Sequence, residues 1–180
     1  MDRLERLDEE LEQKISKHPV IEILTEALEK RHSGIRLAGG AIIDILEGRE
    51  PKDWDFINVG SGDVQAFVKF GFKFLHKTRT ATTYILEGKN PITVQLLTKQ
   101  KQDFDFTISQ CVYNFKNGEV HIDKTSFENK ILIPSNFEVK ANVMNSLRRA
   151  VHWRKKGYTL PDKTYLSLLN SVSVLGGEES

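Results

Sequence analysis

The sequence predicts an α+β fold, in which helices flank a small mixed or antiparallel β-sheet. Apolar residues recur at helical spacing at both ends of the chain. Between them, short apolar or β-branched runs are separated by Gly, Pro, Asn and basic residues, as in strands joined by turns. These runs first alternate with helical stretches and then follow one another directly, which is the order expected of an α+β protein.

Residues 1–34 are predicted to form two helices that pack on the core. In the first, over residues 3–15, apolar residues recur every three or four positions, at Leu4, Leu7, Leu11 and Ile15. This stripe is suited to docking on the core or, as the alternative, to pairing with a second copy in a homodimer. A second helix is expected from residue 20 to about residue 31.

Residues 35–137 are predicted to contain the sheet. Strands are expected at 35–38, 53–59, 72–76, 80–86, 91–97, 110–115 and 119–123, and helices at 41–47 and 63–69. Asn117 and Gly118 are the pair favoured in a tight hairpin turn, because both of its central positions need positive φ. Residues 138–173 are predicted to form two more helices, at 138–156 and 161–172, before a disordered tail at 174–180.

Composition limits the function classes. The chain has 180 residues and a net charge of +1, so it is long enough for one well-buried core but carries no global field that attracts nucleic acid. Its single cysteine, Cys111, excludes an intramolecular disulfide framework and a multi-cysteine zinc site. No stretch approaches the roughly 20 apolar residues of a membrane span, so we expect a cytoplasmic protein without a membrane partner.

The clearest chemical signal is the pair Asp53 and Asp55, at alternate positions of an apolar run. On a strand, residues i and i+2 point to the same face, so the two carboxylates would repel each other unless a cation lay between them. Mg²⁺ typically takes one or two carboxylates and leaves its other positions to water and substrate phosphates. The pair therefore predicts a Mg²⁺ site for phosphoryl or nucleotidyl transfer.

Gly39 and Gly40 lie between the first predicted strand and the following helix. A helix start without side chains in front of its amides can bind phosphate close to the backbone. The alternative is a purely structural turn. If the two strands that flank this helix are neighbours in the sheet, the glycine pair lies beside Asp53 and Asp55.

Two further residues near this site have alternative interpretations. Asp44 is either a surface acid or a half-buried residue whose hydrogen bonds fix the glycine loop or the Lys52 turn, outside the metal's own ligands. Lys52 directly precedes the acid pair, where it would neutralise a substrate phosphate or be an ordinary solvated turn lysine.

A second alternation of acids and aromatics covers residues 102–107. On a strand, Asp103 and Asp105 would share a face, and either is a candidate third carboxylate for a two-metal site. As the alternative, Asp105 caps a helix or turn near Thr107.

Three ordered motifs resemble those of a known family. LAGGAIID with EGREPKDWDF resembles the glycine-pair and paired-acid motifs of the nucleotidyltransferases that include bacterial poly(A) polymerases and CCA-adding tRNA enzymes. DFTISQCVYN looks like the family's segment with Asp-Phe-Thr-Ile, and SLRRAVHWRKKGYTLP is similar to its helix before a Gly-aromatic stop. The order and approximate spacing of the motifs agree over about residues 35–170.

This resemblance implies a nucleotidyltransferase-like head, with a catalytic core at 35–137 and a neck-like segment at 138–173. It implies that Gly39 and Gly40 hold a nucleoside triphosphate and that Asp53 and Asp55 bind Mg²⁺, with two ions present during catalysis. It further places Asp105 near the nucleotide sugar and Arg149 on an arginine of the following helix. The implied function is a minimal Mg²⁺-dependent enzyme that transfers NMP from NTP to a hydroxyl, with an RNA 3′ end as the first acceptor to test.

The chain also departs from the family pattern. Ile43 stands where an arginine is usual, Asp103-Phe104 replaces an Arg-Arg pair, Ser109 replaces an asparagine expected to contact the nucleotide, and Gln95 stands where relatives often carry an acid. These departures support an alternative function, a catalytically impaired protein that keeps the fold as a nucleotide-binding or scaffold module.

A basic cluster lies in the predicted C-terminal helix, at Arg148, Arg149, Arg154, Lys155 and Lys156. It would supply phosphate contacts to RNA, with His152 and Trp153 nearby for base stacking. As the alternative, basic residues at a helix end simply suit the helix dipole.

Overall fold

A computed structural model describes residues 3–28, 34–98, 104–135, 143–166 and 170 of the chain, with the backbone alone for 3–7 and 143. The chain divides into two compact units. The first comprises Met1–Asp103 and Cys111–His121, and the second comprises Phe104–Gln110 and Ile122–Ser180. In the described residues, no helix has both the length and the hydrophobicity that a bilayer crossing requires.

The first unit contains a seven-stranded mixed sheet, which confirms the predicted α+β fold. Its strands are β1 Arg36–Ala38, β2 Trp54–Ile57, β3 Lys73–Lys77, β4 Ala81–Leu86, β5 Ile92–Leu97, β6 Val112–Asn114 and β7 Val120–His121. Their spatial order is β3-β4-β5-β2-β1-β6-β7. The β2–β5 pair is parallel and the other pairs are antiparallel. β2, which carries the acid motif, therefore lies in the middle of the sheet.

The described residues of this unit also form four helices, α1 Arg3–Ser16, α2 Pro19–Ala27, α3 Gly40–Leu46 and α4 Ser61–Phe70. α1 contacts α3, and its Leu11 and Ile15 are buried. Burial, and to a lesser extent the nearby Glu12 of α1, raises the pKa of the Tyr113 phenol. Pairing of α1 with a second copy stays a prediction.

An aromatic cluster forms part of the core on one face of the sheet. The ring of Phe56 on β2 meets Phe67 of α4 edge-on at 5.4 Å and stacks on Phe115 at 5.8 Å. Phe67 in turn meets Phe72 at 5.1 Å. Because side chains alternate along a strand, this packing directs the neighbouring Asp55 to the opposite face.

The second unit contains a short 3₁₀ helix at Thr107–Gln110, α5 Lys124–Asn129 and α6 Val143–Lys155. α5 was not predicted, because six residues are too few to show helical periodicity. Its start is visible in the sequence only as Asp123, whose Oδ1 accepts a hydrogen bond from the Ser126 N–H at 3.1 Å. Residues 162–166 are also helical, as predicted.

Lys130 ends α5 in the left-handed conformation, with φ 54°. Its ammonium lies 4.8 Å from the ring centroids of both Phe127 and Tyr158. Burial lowers the pKa of Lys130.

The hairpin around Asn117 forms, but the predicted two-residue turn is wrong. The connection from β6 to β7 spans residues 115–119, and in it only Gly118 has positive φ, at 77°. The Gly118 N–H donates to the Asn114 carbonyl at 2.8 Å, which closes a wider loop. The tail predicted at 174–180 lies outside the described residues.

Candidate functional site

The acid motif lies at the start of the central strand. Trp54 is 3% exposed and Phe56 is fully buried, whereas Asp55 between them is half-buried. Asp53 is exposed and directly precedes β2, so the predicted strand begins one residue later than expected. The observed alternation agrees with the prediction that the apolar residues face the core while Asp55 faces away from it.

The glycine turn lies next to this strand. β1 pairs with β2, and Ala38 is the direct partner of Asp55. The two strands that flank α3 are therefore neighbours in the sheet. Gly39 directly follows Ala38, so the glycine turn lies beside the acid motif, as the sequence analysis required.

Gly39 is held in a conformation that residues with a side chain rarely adopt, with φ 74° and ψ −137°. Its N–H donates to the Cys111 carbonyl at 3.0 Å, and the Cys111 thiol donates to the Gly39 carbonyl at 3.1 Å. Because the Gly39 amide is used in this way, phosphate contacts from the loop would have to come from Gly40 and the amides after it. Nothing in the sequence indicated this role for Cys111.

Gly39→Ala is expected to lower the free energy of unfolding by about 1–3 kcal/mol, because alanine is strained at this φ and ψ. Urea unfolding followed by circular dichroism measures the change. Gly62→Ala is the matched control, since Gly62 lies within α4 and a Cβ there meets nothing within 4 Å. We expect that control to be neutral or stabilising by up to about 1 kcal/mol. Equal destabilisation by both changes would contradict this role of Gly39.

A row of polar residues crosses the sheet from Asp55. Gln95 on β5 pairs with Asp55, Thr83 on β4 pairs with Gln95, and His76 on β3 pairs with Thr83. Directly paired residues share a face of the sheet, so these side chains lie on the face of Asp55. The His76 Nε2 and the Thr83 Oγ1 are hydrogen-bonded at 3.3 Å. Gln95 is thus the immediate neighbour of Asp55 on the adjoining strand. It stands at the position where the family resemblance implies an acid.

The donors around Asp55 are of the kind that Mg²⁺ prefers. Asp53, Asp55 and Gln95 offer two carboxylates and a neutral amide oxygen, and Mg²⁺ leaves its remaining positions to water and phosphate. Within the described ranges, no group of three or more His, Cys, Asp or Glu side chains is arranged to hold a metal ion. A third carboxylate is therefore not supplied by the described residues, and Asp103 lies outside them.

Asp44 is buried, at 9% exposure, and is not a surface acid. Its carboxylate accepts a hydrogen bond from the Arg49 Nε at 2.9 Å, and its carbonyl accepts one from the Arg49 N–H at 2.7 Å. Asp44 thus fixes the loop that leads from α3 to Lys52, which is one of the two structural roles considered for it. Lys52 itself is exposed. Ile43, where the resemblance implies an arginine, is fully buried.

Asp105 lies in the second unit, where it forms an ion pair with Arg149. Of the two alternatives for residues 102–107, the strand does not form in the described part, where residues 104–105 form a bend and Phe106 makes an isolated bridge to Pro134. The two residues that the resemblance placed at the nucleotide are therefore paired with each other. Asp105 is largely buried in this pair and Arg149 is 46% exposed.

The proposed base-stacking role of Trp153 is wrong. Trp153 is 4% exposed, and its Nε1 donates to the Oγ of the buried Ser109 at 3.0 Å. Ser109 is accordingly part of the packing of the second unit. On α6 the basic residues divide between faces, and Arg148, His152 and Lys155 are exposed at spacings of four and three.

Comparison with protein families gives a match over residues 10–130 to the family described as Gad2, Gabija anti-defense 2 family protein. The chain belongs to the Gabija anti-defense 2 family. No curated protein sequence matches this Gad2-family chain.

Solved structures similar to this Gad2-family chain include CCA-adding enzymes and tRNA-processing enzymes. The Thermotoga maritima CCA-adding enzyme complexed with tRNA aligns with a TM-score of 0.72 at 15% identity, over 92% of this chain and 45% of that one. A CCA-adding enzyme in complex with CTP aligns with a TM-score of 0.70 at 14% identity, over 92% and 46%. A tRNA-processing enzyme aligns with a TM-score of 0.61 at 18% identity, over 84% and 46%.

These similarities confirm the nucleotidyltransferase-like head fold expected from the sequence motifs. This Gad2-family chain spans less than half the length of those structures.

Proposed function

We propose that this Gad2-family chain is a Mg²⁺-dependent nucleotidyltransferase that moves NMP from an NTP to a hydroxyl. The observation that carries the proposal is the pairing of Asp55 with Ala38, which brings the acid motif beside the Gly39 turn. The nucleotidyltransferase-like fold supports it. A paired-acid motif next to a glycine turn is of use to an enzyme that handles a metal-bound triphosphate.

Each residue has a distinct proposed role. Asp53 and Asp55 hold Mg²⁺, and the bound cation supplies charge neutralisation at the phosphates. The amide of Gly40 and the exposed Lys52 contact the triphosphate. Asp44 keeps the loop before Lys52 in place through Arg49. Reaction then depends on holding the α-phosphate and the acceptor hydroxyl in line.

Arg149 and Asp105 are proposed as nucleotide contacts, as the family resemblance implies. The ion pair holds the guanidinium of Arg149 in one orientation while leaving it 46% exposed, which suits a residue that binds a polar ligand. The acceptor that we propose is an RNA 3′ end. The similar structures include complexes with tRNA, with CTP and with ATP, and the exposed basic residues of α6 would supply phosphate contacts.

The test is incubation of the protein with each of four labelled NTPs, Mg²⁺ and pooled small RNA, scoring pyrophosphate release and RNA length. We expect RNA to be extended with at least one NTP, and EDTA to stop the reaction because the triphosphate needs its cation. Pyrophosphate release without RNA extension would support the transferase activity but reject RNA as the acceptor. Absence of both, with a correctly folded protein, would reject the proposed activity.

A second candidate function follows from the family match, whose description names an anti-defense role against Gabija. In this case the protein acts as a nucleotide-binding or scaffold module that blocks its target by binding. Two neutral residues support this second candidate, Gln95 beside Asp55 and the buried Ile43. Both stand where the resemblance to the nucleotidyltransferases implies a charged residue. The two candidates differ in whether the carboxylate of Asp55 is needed.

A further inference from the structure

We propose that the edge strand β3 binds an extended acidic segment of another protein, which adds to the sheet as a further strand. In the described part of the chain, β3 (Lys73–Lys77) is the terminal strand of the sheet, with β4 on its inner side. A terminal strand presents a row of main-chain donors and acceptors along its outer edge. Strand addition to such an edge is a common mode of peptide recognition.

The side chains of β3 are unusual for an edge that is only exposed to water. All five residues are exposed, including two large apolar ones, Phe74 at 61% and Leu75 at 52%. Proteins usually keep exposed edge strands short, charged and poor in apolar residues, since such edges aggregate. The exposure of Phe74 and Leu75 at this edge supports a binding role for β3.

Charge indicates what kind of partner this is. Residues 68–98 contain five Lys and Arg residues and one acid, Glu87, in a chain whose total net charge is only +1. Glu87 pairs with Lys73, which leaves Lys77 and Arg79 as the nearby cations at the other end of β3. An acidic strand laid along this edge would place its carboxylates close to them.

A second copy of this chain is a poor occupant of the edge. Antiparallel self-pairing centred on Leu75 would set Lys73 opposite the other copy's Lys77, and like charges directly opposite each other are destabilising. This repulsion opposes edge-to-edge self-assembly, whereas an acidic partner strand would relieve it.

RNA is a poorer match to this surface than a peptide strand. Its phosphates would contact the cations, but its bases would make little use of Phe74 and Leu75. Single-stranded nucleic acid binds through phosphate contacts and stacking on aromatic faces. Leu75 offers no such face, and the ring of Phe74 already lies edge-to-face with Tyr84 at 6.0 Å. An apolar pair on a sheet edge matches the alternating side chains of a peptide strand.

The experiment measures binding of a fluorescein-labelled peptide of alternating Glu and Val, about eight residues long, to the full chain by fluorescence anisotropy. A peptide of the same charge with Pro in place of each Val, which cannot form a strand, is the probe control. Hydrogen exchange of the backbone amides in Lys73–Lys77 is followed in parallel. No nucleotide or Mg²⁺ is added, so the result is independent of the proposed transferase activity.

We expect the Glu-Val peptide to bind about tenfold more tightly than the Pro-containing peptide and to slow exchange in β3. Lys77→Glu with Arg79→Glu should weaken binding by about tenfold or more, and Leu75→Ser should also weaken it. Lys69→Glu with Lys89→Glu, an equal charge change at exposed residues outside β3, should alter binding less than about twofold.

Equal binding of the two peptides, or an equal effect of the two charge reversals, would show that binding is only non-specific electrostatic attraction. Either result would overturn the proposal. So would tighter binding of a labelled single-stranded RNA that is lost with Lys77→Glu and Arg79→Glu. Failure of the peptide to bind, or to protect the β3 amides, would overturn it as well.

Discussion

Asp55→Asn is expected to lower Mg²⁺-dependent nucleotide incorporation by about three orders of magnitude, which is about 4 kcal/mol of transition-state stabilisation. The asparagine keeps the size and one oxygen of the aspartate but removes the charge that holds the cation. Asp55 is the acid whose position in the sheet is fixed by partners on both sides, Ala38 and Gln95. Asp53→Asn is expected to act in the same direction.

The measurement is incorporation of labelled NMP at saturating NTP, with the fold checked by thermal unfolding. In EDTA the melting temperature of Asp55→Asn should stay within about 4 °C of the parent, because the substitution keeps the size of this half-buried side chain. Glu128→Gln removes one charge from an exposed residue of α5 and should leave incorporation unchanged. Parental activity in Asp55→Asn would reject the assignment of the metal site.

The same variant separates the two candidate functions in cells that carry Gabija. If the protein counteracts Gabija by nucleotidyl transfer, Asp55→Asn should lose that effect at equal protein levels. If it acts by binding alone, the variant should keep that effect. Variants of the β3 surface measure a different property, since Lys77 and Arg79 have no part in the proposed reaction.

Phe56→Ala is expected to destabilise the protein by about 3–5 kcal/mol, the range for deleting a fully buried aromatic ring. Phe56 lies on the central strand, and its ring contacts Phe67 and Phe115. Removing it leaves a cavity beneath β2 at the site of the acid motif. A loss of this size is a large part of the stability of a typical domain.

Urea unfolding followed by circular dichroism gives the free energies. Phe74→Ala is the matched control, because it removes the same ring from a residue that is 61% exposed on β3. We expect the control to change stability by about 0.5 kcal/mol or less. Similar losses in both variants would show that the aromatic cluster around Phe56 does not dominate the core.

Local sequence rules predicted the segment that builds the site. The glycine turn at Gly39, the following helix and the apolar run around Asp55 depend on residues close together in the chain. Turn chemistry and the alternation of side chains act at that range, so these elements are found within one or two residues of their predicted limits.

Contacts between distant segments were not predictable in the same way. Gln95 lies beside Asp55 only because β2 pairs in parallel with β5, and Cys111 holds Gly39 only because β6 lies beside β1. Hydrophobic periodicity does not specify which strands become neighbours. Neither residue could therefore be given its role from its own segment.

The same limit explains the errors in the second unit. The alternating acids and aromatics near Asp105 have the period of a strand, but a bridge from Phe106 to Pro134 and a 3₁₀ helix replace it. Trp153 occurs among basic residues, as a stacking residue would, yet its partner is Ser109, 44 positions away.

The sequence by itself determined the α+β class, the order of most helices and strands, and the presence of a glycine turn and two alternating acids, because these features depend on short-range periodicity and turn chemistry. Only the tertiary structure decided the neighbours of Asp55, the ion pair of Asp105 with Arg149, and the position of β3 at the sheet edge. Those outcomes depend on which distant segments bury one another's apolar surface, and many sequences with the same local pattern would satisfy that requirement differently.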